Sequence, residues 1–380
     1  MKDISLIARF YKALAWVDAH SLPGGGIAVS DAKKISYQEV TGYYIPTLLA
    51  WGERERATRF GRWLLSVQRG DGAFSGPDDN APYAFDTGQA VRGLLELARI
   101  GAVDCAQGMQ KACAWVVSHI RGSGEPCCPD MLQWQGIPAG ILLYALEPVR
   151  RAAAWLKRED LIATVDRCVA WFLRDPRLTD FTALSHFHAY ILEALLDLGH
   201  ADRCREGMKK ALALQLPDRS VPARADISWT CSTGMFQYAG ILYKLGEKAK
   251  ADECFACMAA RQNPTGGWYG SYGTGRQYFP DAEISWAVKY FLDAVALRQK
   301  LSFTMQAPIF LENIAPEDGR YLLVKNQISR LLDKNGPRPV RVLDAGCGKG
   351  RYLARLARES FASRLKLHGC DISEAVLRYV

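Results

Sequence analysis

The 380-residue sequence lacks any uninterrupted run of the roughly twenty apolar residues that a membrane-spanning helix requires. Its N-terminal stretch has apolar residues at helical spacing, but neither a continuous apolar core nor the small-residue cleavage site of a secretion signal. The net charge is +8, yet no run of basic residues alternates with aromatic residues, so nucleic-acid binding has no local support. From these absences we expect a cytoplasmic protein with no integral membrane segment and no nucleic-acid partner.

A set of cysteine pairs with zinc-site spacing and low-complexity tracts are also missing. Hydrophobic residues make up 49% of the chain, which is enough to bury a substantial core in two domains or in one large repeat-built domain with an appendage. Eleven cysteines without a secretion signal indicate free thiols in a reducing compartment. Cys254 and Cys257 form a lone CxxC motif, without the second pair or the flanking histidines of a zinc site. We therefore predict buried structural cysteines and no metal site.

An internal repeat of helical segments extends over the first three quarters of the chain. Six strongly apolar segments recur at intervals of about fifty residues, and they begin near Glu39, Phe85, Gly136, Thr182, Thr230 and Glu283. Amphipathic helices with a wider polar face alternate with them. Each hairpin can bury its apolar stripe only against its neighbours, which predicts an inner ring of helices within an outer ring. We predict a mainly α protein in which residues 1–298 form an (α/α)6 toroid, with an open helical solenoid as the alternative.

Two similar turns strengthen the repeat, namely "QRGDGAF" at residues 68–74 and "QNPTGGW" at residues 262–268. Together with the alternating hairpins they resemble the squalene-cyclase and prenyltransferase superfamily of toroids. They equally resemble the (α/α) toroids of glycan-processing enzymes such as uronic-acid epimerases and lyases. The resemblance is architectural and implies a fold rather than a function. The segment "GPDDNAP" does not supply the DxDD cluster of a protonating cyclase, and no zinc set of the prenyltransferase kind stands out.

In such a ring, the loops before the inner helices converge on a central cavity. The sequence places acidic and aromatic residues together in those loops. Trp and Tyr rings stack on sugars while carboxylates act as acid and base, although the same rings would also suit a carbocation. The candidate catalytic residues are Asp79, Asp86, Asp226, Asp281 and Glu283. The candidate substrate-binding residues are Tyr83, Trp134, Trp229, Trp268 and Tyr278.

Several of these candidates have a structural alternative. Asp86 and Asp226 stand where a helix N-cap is expected, and the tryptophans at helix ends are often packing residues. His186 and His188 are two positions apart, so they point to different sides of a helix and cannot bind one metal from it. We interpret both as hydrogen-bonded core histidines.

The C-terminal stretch has a different pattern. The segment "VRVLDAGCGKGRY" predicts a strand, a glycine-rich turn and a helix, and "LKLHGC" predicts a second strand that ends at Asp371. This pattern resembles the first two motifs of class I S-adenosylmethionine-dependent methyltransferases, with NAD-type dinucleotide binding as the alternative. The resemblance implies that Asp371 holds the ribose of S-adenosylmethionine. It also implies that the methionine part of the cofactor is lined by Asp344, Gly346, Cys347, Gly348 and Gly350.

These patterns suggest two domains joined by a connector. Residues 299–336 are expected to form a linker and a lead-in helix, and residues 337–380 an incomplete methyltransferase domain that transfers no methyl group alone. We hypothesise an enzyme whose toroid binds or processes a glycan or glycolipid precursor and whose second domain methylates a related substrate. Two alternatives remain open. The toroid is a non-catalytic acceptor-binding module, or it is an isoprenoid cyclase-like enzyme fused to a methyltransferase.

Overall fold

The structure is a computed structural model that describes residues 5–128, 137–306 and 314–377. The chain divides into two compact units, Met1–Val295 and Ala296–Val380. In the described part of the chain, no helix combines the length and the apolar character needed to cross a membrane.

The described part of the first unit contains twelve helices, and the last of them continues beyond the unit to residue 306. In chain order they are α1 (Leu6–His20), α2 (Gln38–Ala50), α3 (Arg54–Val67), α4 (Ala84–Arg99), α5 (Ala106–Ser118), α6 (Leu142–Trp155), α7 (Glu159–Leu173), α8 (Ser185–Asp197), α9 (Ala201–Leu212), α10 (Ser232–Lys244), α11 (Lys248–Ala259) and α12 (Ser285–Gln306). The even-numbered helices are the inner ring and the odd-numbered helices are the outer ring. Two short strands, β1 (Thr230–Cys231) and β2 (Ser271–Tyr272), lie in the loops before α10 and α12 and pair with each other in an antiparallel arrangement.

The inner and outer helices differ in how much of their surface is buried. The inner helix α4 buries its first eight residues without interruption and half of those that follow. By contrast, the outer helix α3 buries Ala57, Phe60, Gly61 and Leu64. This i, i+3, i+4, i+7 spacing is a single stripe, as expected for a helix with one face on the core and one in solvent. The predicted alternation of apolar and amphipathic helices is confirmed.

The ring closes between its first and last inner helices, α2 and α12. The Tyr44 hydroxyl on α2 donates to the backbone oxygen of Ser285 at 2.6 Å, and the Thr47 hydroxyl donates to Asp293 on α12 at 2.6 Å. The Trp51 indole N–H also donates to the backbone oxygen of Leu292 at 3.3 Å. These bonds join segments more than 240 positions apart in sequence. The closed toroid is therefore correct, and the open solenoid is not.

The two glutamine turns recognised in the sequence have the same structure. The Gln68 amide donates to the backbone oxygen of Gly72 in its own turn and to that of Gly108 on α5, both at 2.9 Å. The Gln262 amide likewise donates within its own turn and to the backbone oxygen of Arg9 on α1, both at 2.9 Å. Each turn thus fastens the outer helix before it to the next outer helix around the ring, and the second turn completes the circle.

The centre of the ring is filled by a layer of buried tyrosines, Tyr43, Tyr144, Tyr190 and Tyr290, which we call the tyrosine floor. The Tyr144 and Tyr290 hydroxyls lie 2.8 Å apart, and the ring centroids of Tyr144 and Tyr190 lie 4.5 Å apart. Ion pairs such as Arg92 with Glu147 at 3.1 Å lie on later turns of the inner helices. The floor and these ion pairs fill the middle of the ring.

The second unit contains one strand–helix–strand repeat. Helix α13 (Gly319–Asn335) precedes strand β3 (Val340–Ala345), helix α14 (Arg351–Leu356), strand β4 (Leu365–Cys370) and the short helix α15 (Glu374–Leu377). Strands β3 and β4 pair in parallel, from Val340 opposite Leu365 to Ala345 opposite Cys370. The order of strand, turn, helix and second strand is as predicted from the sequence. Tyr321 and Leu332 on α13 pack with Val340 and Leu356 in the core of this unit.

Candidate functional site

A cavity of about 360 Å³ lies at the side of the ring where the inner helices begin, and we call it the central cavity. It is bounded by the first turns of the inner helices and by the loops that lead into them. Its walls are mostly aromatic, formed by Tyr37, Tyr83, Phe85, Phe187, Tyr190, Tyr278, Phe279 and Trp286. Its polar side chains are Lys33, Glu39, Asp78, Asp79 and His186. The tyrosine floor lies deeper along the same helices, and Tyr190 belongs to both.

Three predicted site residues line this cavity, namely Asp79, Tyr83 and Tyr278. Asp79 is exposed and accepts hydrogen bonds from the Tyr83 hydroxyl and from the backbone N–H of Ala81. These bonds, chiefly the one from Tyr83, lower the pKa of Asp79. Tyr278 accepts a hydrogen bond from the Trp286 indole at 3.1 Å, which fixes two rings of the opposite wall. Asp79 is therefore an ionised carboxylate beside aromatic surfaces.

Glu39 is the deepest acidic group of the cavity, and the sequence analysis did not select it. It lies buried in the first turn of α2, and burial raises its pKa to about 7. Hydrogen bonds from Tyr37 and Tyr190 and the nearby charge of Lys289 partly oppose this increase. The Tyr190 hydroxyl lies 3.5 Å from the carboxylate. Glu39 is thus a carboxyl group that gains and loses a proton near neutral pH, as a general acid must.

A sequence signal for Glu39 existed. The candidates were taken from the loops before the inner segments, whereas the cavity is also built from the first turns of the helices themselves. Glu39 is the second residue of α2, as Phe85 is of α4 and His186 is of α8. Treating the first turns as part of the site would have added Glu39, and it would have placed His186 at the site rather than in the core.

His186 lines the cavity opposite Glu39's helix and is held in a fixed orientation. Its Nδ1 lies 2.7 Å from the side-chain oxygen of Gln237, and its ring lies 4.4 Å from that of Tyr190. Burial lowers the pKa of His186 to about 4, so its imidazole is neutral at pH 7. His188 faces elsewhere and contacts the Tyr238 hydroxyl and the backbone oxygen of Thr179. Within the described ranges, no three His, Cys, Asp or Glu side chains group closely enough to hold a metal ion.

Three of the predicted catalytic carboxylates lie away from the central cavity. Asp226 and Asp281 are exposed and form ion pairs with Arg224 at 2.6 Å and with Arg276 at 2.9 Å. Glu283 is buried where the last inner helix approaches α1. The five predicted carboxylates therefore do not converge on one point, and Asp79 shares the cavity with Asp78 and the buried Glu39 instead.

Asp86 occupies an intermediate position, since it is fully buried in the first turn of α4. Burial raises the pKa of Tyr37, and the negative charge of Asp86 adds to that increase. Because Tyr37 lines the cavity, Asp86 lies behind the cavity wall.

The predicted tryptophans differ in their environments. Trp268 is completely buried, donates to the backbone oxygen of Met258 at 2.9 Å and packs against Phe236 and Phe291. It is a packing residue with no face for a ligand. Trp229 is 7% exposed and belongs to a small cluster beside the cavity. Trp134 lies outside the described residues.

In the second unit, the predicted cofactor residues form one loop at the ends of β3 and β4. Gly346, Gly348 and Gly350 all have positive φ, at 76°, 56° and 72°, which favours glycine at each position. Asp371 accepts a hydrogen bond from the backbone N–H of Gly348 at 2.9 Å. Asp344 lies at the end of β3, where partial burial raises its pKa. One of its oxygens is enclosed and accepts no hydrogen bond from the residues that the structure describes. The thiol of Cys347 is buried beside Gly369 of β4.

Comparison with known proteins defines the fold of the first unit. No family model and no curated protein matches the sequence. A glycosidase variant in complex with glucose covers 77% of this chain and 98% of its own, with a TM-score of 0.60 at 12% identity. An alpha-amylase from Clostridium perfringens covers 76% and 98%, with a TM-score of 0.59 at 13% identity. The type II terpene cyclase MstE from Scytonema covers 78% and 98%, with a TM-score of 0.52 at 16% identity. The chain thus has the helical toroid fold of these enzymes, and at this identity the likeness shows the fold alone.

Proposed function

We propose that the toroid is a glycan-processing enzyme that breaks a glycosidic bond in the central cavity. One observation carries this proposal. Three carboxyl groups line the same aromatic cavity, and the environments of two of them, Glu39 and Asp79, shift their pKa values in opposite directions. Glu39 has a pKa raised to about 7, whereas the pKa of Asp79 is lowered. Such a separation assigns one group as proton donor and the other as a permanent carboxylate.

The two carboxyl groups then have distinct roles. Glu39 in its protonated form donates a proton to the glycosidic oxygen, so that the leaving sugar departs as a neutral alcohol. Asp79 stays ionised and stabilises the positive charge that develops on the sugar ring. It then takes a proton from a water molecule, whose oxygen bonds to the anomeric carbon in place of the leaving sugar. The faces of Phe85, Tyr278 and Trp286 supply stacking surfaces for the sugar. The glycosidase and amylase among the solved structures with this fold are consistent with such a substrate.

Substitution of Glu39 tests the proposal. A panel of aryl glycosides and natural disaccharides is screened with the whole chain, and Glu39→Gln is compared with Asp281→Asn, which changes an exposed carboxylate outside the cavity. We expect Glu39→Gln to lower kcat by about 10²-fold or more on disaccharides. The loss should be much smaller on aryl glycosides, whose leaving groups need little protonation. Equal activity of the Glu39 and Asp281 variants on disaccharides would contradict the proposal.

The aromatic walls favour a second candidate function, isoprenoid cyclisation. Ring faces stabilise carbocations, a protonatable Glu39 could start the reaction, and MstE shares the fold. The charged groups Lys33, Asp78 and Asp79 at the same cavity weigh against an apolar substrate. Incubation with geranylgeranyl substrates separates the candidates, because cyclised products with no glycoside turnover would establish the second.

For the second unit we propose that the glycine loop binds S-adenosylmethionine. The space beside Gly346 is open. The enclosed oxygen of Asp344 has an unused acceptor site, and Asp371 retains lone pairs after its bond to Gly348. Asp344 and the three glycines would hold the methionine part, Cys347 would support the loop from beneath, and Asp371 would hold the ribose. The bound cofactor would supply a methyl group for transfer.

Saturation-transfer NMR with S-adenosylhomocysteine tests this second proposal, because the method detects weak binding. We expect transfer to the ribose protons in the parent chain and its loss in Asp371→Asn. An Asp333→Asn variant, which changes an exposed residue of α13, is the matched control and should behave as the parent. Absence of transfer in the parent chain, or its persistence in Asp371→Asn, would refute the assignment.

A further inference from the structure

A second cavity of about 940 Å³ adjoins the central cavity, and we call it the outer groove. The two share three wall residues, Ile137, Phe187 and Tyr278. Because the same side chains face both spaces, the cavities are neighbouring compartments of one site, separated by the rings of Phe187 and Tyr278. The groove is built from the loops before α8, α10 and α12, so it lies at the same side of the toroid as the central cavity.

The outer groove differs from the central cavity in its chemistry. Its one carboxylate among the described lining residues, Asp226, forms an exposed ion pair with Arg224 at 2.6 Å. The other polar groups include the hydroxyl of Ser228 and the amide of Gln277, which are uncharged and exposed. Neutral hydroxyl and amide groups beside aromatic rings suit sugar hydroxyls and sugar faces. The groove therefore has the composition of a binding surface without a second acid–base pair.

Resting on the proposed glycan-processing function, we propose that the outer groove binds the continuing residues of an oligosaccharide whose end occupies the central cavity. The central cavity is near the small end of the range for ligand sites, about 300–1,000 Å³, so it holds only one end of such a chain. The tyrosine floor closes the deep side of that cavity. A longer substrate that extends past Phe187 and Tyr278 enters the groove. The substrate class is an oligosaccharide rather than a monosaccharide derivative.

A steric block of the groove tests this inference. Ser228→Trp places a large side chain in the groove at an exposed position away from Glu39 and Asp79. Ser66→Trp, at an exposed position on the outer helix α3, is the matched control. The probes are gluco-, manno- and galacturono-oligosaccharides of one to six residues, with binding measured by calorimetry and turnover measured on the matching aryl monosaccharides.

We expect one oligosaccharide series to bind the parent chain at least about tenfold more tightly as its length increases from one residue to four. Ser228→Trp should abolish this gain while the variant still turns over the aryl monosaccharide, and Ser66→Trp keeps both. If the parent chain turns over the aryl monosaccharide but its affinity does not depend on oligosaccharide length, the assignment of the groove is wrong and the proposed function remains intact. A length dependence that survives Ser228→Trp would overturn that assignment in the same way. Absence of binding and turnover for every glycoside would overturn both proposals.

Discussion

Replacement of Glu283 by Ala should destabilise the toroid without acting on the central cavity. The buried Glu283 carboxylate accepts hydrogen bonds from the Trp16 indole at 2.6 Å and from the Asn263 amide at 2.8 Å, and also from the Thr265 hydroxyl. It therefore joins the outer helix α1, the second glutamine turn and the start of α12. All three segments meet where the ring closes.

The expected loss of stability follows from these three bonds. Trp16 is completely buried, so its unpaired N–H would cost about 1–3 kcal/mol. Asn263 and Thr265 are more accessible and can bond to water, so each loses only the net value of a hydrogen bond, about 0.5–1.5 kcal/mol. The sum is about 2–6 kcal/mol, which corresponds to a decrease in melting temperature of about 3–10 °C for a unit of this size. Glu283→Gln keeps one acceptor and should lose less.

Calorimetric melting of the whole chain measures this effect, and hydrogen exchange of the α1 amides locates it. Asp281→Ala is the control, because it removes an exposed carboxylate two residues away and should change stability by no more than about 0.5 kcal/mol. If Glu283→Ala melts within about 2 °C of the parent, the assignment of Glu283 to ring closure is wrong. Loss of activity with unchanged melting would restore its predicted catalytic role.

Further predictions concern pH and helix packing. The folded chain keeps a proton on Glu39 up to a pKa of about 7, whereas an ordinary glutamate has a pKa of 4.5, so this group lowers stability as pH rises through that window. The pKa values of His186 and His188 are lowered from 6.5 to about 4, so these groups lower stability as pH falls through that range. The two effects oppose each other, so the melting temperature of Glu39→Gln should rise with pH more steeply than that of the parent between about pH 4.5 and 6.5. If urea or thermal melts show the same dependence of stability on pH in both chains, the raised pKa of Glu39 is wrong. Gly42→Ala should destabilise the inner ring by about 2 kcal/mol or more, because a Cβ at Gly42 would overlap the backbone of Gln89 on α4. Chemical denaturation checks this, with Gly52→Ala as a control in open space whose only strain is its positive φ.

The repeat could be predicted from sequence because each hairpin has its own spacing of apolar residues and its own turn residues. The spacing of apolar residues in α3 and the turns after Gln68 and Gln262 are local features, and the structure has them as expected. The direction of a loop side chain is not a local property. Glu283 and Trp268 lie in the loop that leads into α12, yet they turn toward α1 and toward the core, because the last hairpin must close the ring.

For Glu39, the helical position could be predicted from the sequence, but the raised pKa could not. A glutamate at the start of a helix is ordinarily a favourable partner for the helix dipole. Its raised pKa arises from burial among side chains of several inner helices, including Tyr190 of α8. No pattern within α2 indicates that environment.

The repeated glutamine turn also determines how the chain can be connected. The turn after α11 fastens α1 by the same bond with which the turn after α3 fastens α5. An inner helix is elsewhere followed by an outer helix after a few residues, as between Ala50 of α2 and Arg54 of α3. A short link from the part of α12 that belongs to the toroid, which ends near Val295, to the start of α1 would therefore repeat a connection that the ring already uses. The toroid has no structurally privileged first helix, and a circularly permuted chain opened between α6 and α7 should fold to the same ring.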